Sequence, residues 1–143
     1  MIETDTNSES RIVGDYYHGA YGPTILLKAN SERAVEWLRN IFLRLANGTE
    51  SHVDLAAMPG VNIAGVEAFM LGRLDEQPEV ALQSQPTDAQ AVECYWNQDA
   101  SGWRHVAMLM EPFLAGKTGH QYLTREGQDD ALLEVSYGES DVS

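Results

Sequence analysis

The sequence predicts a single α+β domain: a mostly antiparallel sheet of about five or six strands, with two amphipathic helices packed on one face, in the order β-α-β-β-β-β-α-β. Three observations carry that reading. Two segments, residues 30–48 and 101–116, repeat apolar residues at spacings of three and four. The other apolar runs alternate with polar residues, as half-buried strands do. No stretch rich in Pro, Gly or Ser divides the chain, and its 143 residues suit one domain. That domain is expected to span 11–137, with 1–10 a disordered tail and 138–143 a frayed end.

The elements follow in order. RIVGDYYHGAYGP is aromatic and glycine-rich and reads as a short strand and a turn before Pro23. TILLKA, residues 24–29, sets Ile25, Leu27 and Ala29 on one face of a strand. NSERAVEWLRNIFLRLANG reads as a helix, capped by Asn30 or Ser31 and ended by Gly48, with a stripe of Ala34, Val35, Leu38, Ile41, Phe42 and Leu45. SHVDLAAM reads as a strand with Val53 and Leu55 inward. VNIAGVEAFMLGRLDE holds a longer strand, with Val66, Ala68, Met70 and Leu74 on the core face and Gly72 as the site of a bulge or close approach.

EVALQSQ and QAVECYWN give two more strands, the first with Val80 and Leu82 inward, the second with Val92, Cys94 and Trp96. After the turn NQDASG, Ser101 can cap a second helix whose apolar face is Trp103, Val106, Ala107, Met110 and Phe113; Pro112 should kink or stop it. ALLEVSYG is the last strand, with Leu133, Val135 and Tyr137 opposite Leu132, Glu134 and Ser136. Short turns between the middle strands suggest an antiparallel meander.

Charge narrows the function. Twenty-two acids against nine Lys and Arg give a formal −13. That disfavours nucleic acid and anionic membranes as partners and favours a basic protein. Residues 88–143 hold ten acids and only Arg104, Lys117 and Arg125 as bases, so the C-terminal half is the more negative. The single cysteine, Cys94, allows no intrachain disulfide and lies in a strand pattern, which suits a buried thiol. No run of 18 apolar residues and no apolar leader is present, so a cytoplasmic protein is expected, and Asn47-Gly48-Thr49 reads as a helix-ending turn rather than a glycan site.

Candidate sites remain. GHQYLTREGQDD gathers His120, Glu126, Asp129 and Asp130, but the spacing matches neither a helical zinc motif nor an EF-hand loop. It reads first as a loop, REGQDD, leading into a strand, with no metal and no cofactor. No P-loop, dinucleotide fingerprint or nucleophile elbow occurs, so the reading leans away from an enzyme. The expected contact residues are the acids Glu126, Asp129, Asp130 and Glu134, with Tyr16, Tyr17 and Tyr21 as an aromatic patch. The small acidic α+β form resembles bacterial immunity and inhibitor proteins in outline, which implies a domain that occludes a basic partner. The alternative is a small-molecule-binding protein or enzyme with a site around His120, Tyr122 and Asp129. A dimer is also open, through the strand that carries Phe69 and Leu71 on its second face.

Overall fold

The computed structural model describes residues 12–19, 22–74, 80–87, 91–124 and 131–138, with backbone only for 80–85. Within them the chain is one α+β domain. The strands are β1 (Ile12–Gly19), β2 (Gly22–Ala29), β3 (His52–Asp54), β4 (Val61–Ala64), β5 (Val66–Arg73), β6 (Val80–Pro86), β7 (Val92–Gln98), β8 (Gly119–Tyr122) and β9 (Leu132–Tyr137). The helices are α1 (Glu32–Asn47), α2 (Ala100–Leu109) and the single turn α3 (Glu111–Leu114), with a 3-10 turn at Leu55–Ala57.

Local chemistry accounts for the helix ends. Ser31 caps α1 by accepting from the Ala34 amide at 3.1 Å, and Gly48 ends it in the left-handed region at φ 82°. For α2 the cap is Asp99, which accepts from the Gly102 amide at 2.8 Å, not Ser101. The helix starts at Ala100, so Ser101 is already inside its first turn. Pro112 lies in the first turn of α3, where its missing amide costs nothing; the break therefore falls between α2 and α3.

The strands form two mixed sheets rather than one: β4-β1-β2-β9-β8 and β3-β5-β7-β6. Antiparallel pairs outnumber parallel ones, with β9–β2, β1–β4 and β5–β7 running parallel. The division comes at Gly65. The segment VNIAGVEAFMLGRLDE, expected to hold one longer strand, is divided there, at φ 83°, into β4 and β5, which enter different sheets. The faces of β5 are also the reverse of those expected. Phe69 and Leu71 are fully buried, in register with Cys94 and Trp96, while Val66, Ala68 and Met70 are only half-buried. Both faces of this strand are apolar in sequence, so only its pairing with β7 selects the core side. Phe69 and Leu71 thus belong to the chain's own core and offer no surface to a second copy. The expected inward positions Val80 and Leu82 lie outside the described side chains.

The helices fill the space both sheets face. α1 packs on α2 and touches β2 of one sheet and β5 of the other. A run of rings ties the layers together: Phe42 stacks on Trp103 at 5.8 Å, and Trp96 meets Trp103 edge-on at 5.1 Å. The buried Trp103 Nε1 donates to the Gly72 carbonyl at 2.8 Å, which docks α2 on the four-stranded sheet. Arg73 donates from Nη1 to the Leu45 and Ala46 carbonyls, both at 3.0 Å, and so closes the end of α1. No helix of the described residues is long and apolar enough to cross a membrane.

Candidate functional site

Alternation in the five-stranded sheet builds two faces. The inner one carries Ile12, Ile25, Leu27, Leu133 and Val135, all at 0% exposure. The outer one is set by register. Asp15, Leu26, Glu134 and Tyr122 form one row across β1, β2, β9 and β8; Val13, Lys28, Ser136 and His120 form the next. Tyr17 stands opposite Thr24 on the same side. Val13, Tyr17 and Tyr122 remain exposed there, at 46%, 41% and 39%.

Two interactions organise this face. His120 Nδ1 lies 4.0 Å from Glu134 Oε2, and the His120 and Tyr122 rings meet edge-on at 6.2 Å. At Tyr17, partial burial and then the carboxylates of Glu134 and Asp15 push the phenol above its ordinary range. The neutral phenol therefore sits beside two negative charges and presents a hydroxyl donor over an apolar ring.

The expected contact residues are partly brought together. Glu134 and Tyr17 share the outer face. Tyr16 does not: it pairs with Ile25, packs against the core and meets His18 edge-on at 5.6 Å. Two neighbours in a strand point to opposite sides, so the aromatic patch is divided. Tyr21, Glu126, Asp129 and Asp130 lie outside the described residues, as do 1–10 and 139–143. GHQY is a strand, β8, and this puts His120 and Tyr122 on the outer face beside Glu134; the expected loop REGQDD lies outside the described residues. Val13 and Leu26 complete that face without any mark in the sequence beyond their place in the alternation.

A second feature lies at the edge of β8. A cavity of about 660 Å³ is bounded by the end of β7, the first turns of α2 and residues 121–124. Its walls include Gln98, Asp99, Ser101, His105, Gln121 and Tyr122. Of the expected small-molecule site, Tyr122 lines it and His120 does not, while Asp129 lies outside the described residues. Gln98 was findable: the inward alternation Cys94, Trp96 continues to it and sets an amide at a core position. Among the described residues no group of three His, Cys, Asp or Glu converges as a metal site would require.

Compared with protein-family models, with curated proteins and with solved structures, the chain finds no match.

Proposed function

We propose that this is a non-enzymatic binding domain that occludes a basic protein through the outer face of its five-stranded sheet, in the manner of a small acidic inhibitor. The observation that carries it is the exposure of Val13, Tyr17 and Tyr122 on strands β1 and β8 of a sheet face that also holds Asp15 and Glu134, around the buried central positions Thr24, Leu132 and Ser136. Exposed tyrosines beside aliphatic side chains are the groups that anchor protein contacts. The formal −13 of the chain selects the partner's sign and speeds its approach, while the face supplies the contact. Cytoplasmic residence suits this reading. The lone cysteine, Cys94, is fully buried, and burial pushes its thiol up to about 12, so it needs no oxidising compartment and offers no exposed nucleophile.

The test is affinity capture at low salt with three proteins: the parent, the pair Tyr17→Ala with Tyr122→Ala, and His52→Ala on the other sheet as a control. A stoichiometric basic protein should be held by the parent and by the control, leave as salt rises, and be lost with the tyrosine pair. Capture that ignores the tyrosines sinks the assignment of the face. Capture of an acidic or neutral protein sinks the charge argument.

A further inference from the structure

The charge of the chain is unevenly placed. Residues 32–47 hold Glu32 and Glu36 against Arg33, Arg39 and Arg44, and residues 100–114 hold Glu111 against Arg104. The helices together are therefore +1, while the rest of the chain carries −14. Two copies of so acidic a molecule repel one another, and least where the helices face outward. That side also has an opening. A groove of about 390 Å³ lies between α1 and α2, with Leu43 on one wall and Arg104, Ala107, Met108 and Glu111 on the other. Met108, at 52%, is the most exposed of the large hydrophobic side chains among the described residues. Residues 104, 107, 108 and 111 recur at i, i+3, i+4 and i+7, so they form one stripe. It is positive at its start, apolar in the middle and negative at its end. Arg39 of α1 reaches Glu111 Oε2 at 3.3 Å, yet the Glu111 side chain stays 54% exposed and has room for a second cation.

We propose that a second copy of this chain docks on this stripe, forming an isologous dimer in which α2 crosses its counterpart antiparallel about a two-fold axis between Ala107 and Met108. Antiparallel pairing about that axis sets Arg104 against Glu111 of the partner subunit, and Met108 against Ala107 of the partner subunit. The two-fold makes each of these contacts twice. A parallel crossing would instead set Arg104 on Arg104 and Glu111 on Glu111, like charge on like. The stripe is thus complementary to itself in one direction alone. Met108 supplies the apolar contact: its side chain leaves water and enters the groove beside Leu43 of the partner subunit. With 16 residues α1 is about 24 Å long, so the helical side offers an interface of small size, and the dimer is weak and reversible. This contact is independent of the outer face. The helices pack on the inner side of the five-stranded sheet, so a dimer joined through them leaves Tyr17 and Tyr122 open.

The experiment is sedimentation velocity on the full chain alone, from about 1 μM to about 1 mM, at low and at moderate salt. A monomer–dimer equilibrium is expected. It should tighten by about tenfold or more between about 10 mM and about 0.2 M salt, because screening relieves the repulsion between two −13 molecules. Met108→Glu should leave the chain monomeric throughout, with a melting temperature close to the parent's, since the side chain is exposed. Arg104→Glu and Glu111→Lys should each weaken the dimer by about tenfold. An equimolar mixture of those two variants should recover it, since the mixed dimer has opposite charges at both contacts. A chain that stays monomeric at every concentration and salt leaves the groove to a different protein and overturns the proposal. So does a dimer that loosens as salt rises, one that survives Met108→Glu, or a mixture no stronger than either variant alone. Tyr17→Ala with Tyr122→Ala should dimerise as the parent does; a dimer lost with the tyrosines would place the contact on the sheet and overturn the assignment. Capture of a basic protein at the outer face is read separately, and neither result decides the other.

Discussion

The two faces of the five-stranded sheet are made by the same strands, residue by residue, and yet one is wholly apolar while the other mixes exposed apolar, charged and buried polar positions. In β2, Ile25 and Leu27 are fully buried, while Leu26 between them is half-buried and Lys28 beside them is exposed. In β9, Leu133 and Val135 are fully buried in the core, while Glu134 between them lies on the other face in register with Leu26 and Tyr122. The inner face is uniformly apolar because water is excluded from it. The outer face mixes Val13, Tyr17 and Tyr122 with Asp15, Lys28 and His120, a composition that does nothing for the core. Apolar side chains kept in water on such a face are the ones whose presence a contact would explain.

Five substitutions break or sharpen that contrast. The largest effect belongs to the inner side. Trp103→Ala removes the ring that joins Phe42 to Trp96 and the hydrogen bond to the Gly72 carbonyl, and should cost about 3–5 kcal/mol by urea denaturation. Next comes a matched pair in one strand. Leu27→Ala should cost about 2–5 kcal/mol as a core truncation, whereas Leu26→Ala should cost under about 1 kcal/mol. Equal losses for the two leucines would mean that the outer face is covered. Gly65→Ala forces a side chain into a left-handed conformation, with its Cβ at an ordinary 3.5 Å from Tyr16 Cβ. The penalty is therefore conformational alone, about 1–2 kcal/mol in chemical denaturation. The smallest change is Tyr17→Ala, within about 0.5 kcal/mol of the parent. A melting temperature that falls sharply with Tyr17→Ala would show the tyrosine to be part of the core.

How far the sequence could be read follows from the same contrast. Ser31, Gly48 and Pro112 act within one helical turn, so local rules suffice to place the ends of α1 and the break after α2. The inward sets of β2 and β9 were legible because one parity is wholly hydrophobic while the other mixes Leu26 and Leu132 with Thr24, Lys28, Glu134 and Ser136. Around Gly65 both parities are apolar, and the choice between Phe69 and Met70 depends on Cys94 and Trp96 across the sheet. The outer face was legible only in pieces. Glu134 and Tyr17 stood out by residue type, but that Glu134 meets Leu26 and Tyr122 depends on a parallel pairing between opposite ends of the chain. The cavity at Gln98 needs β7, α2 and β8 assembled before it exists at all.

The central place of β9 has a consequence for how the molecule is made. It lies between β2 and β8 and bonds to both, although among the described strands it comes last in the chain. While the ribosome is still extending the chain, the hairpin of β1 and β2 has one edge without its partner. Ile25 and Leu27 then lack the neighbours Leu133 and Val135 that later flank them. Such an edge is a template for pairing with another chain. The sheet closes only after Tyr137 has cleared the exit tunnel, and its closure is the kind of long-range parallel pairing that folds slowly. Birth of the protein thus passes through an interval in which chaperone capture and self-aggregation compete with folding.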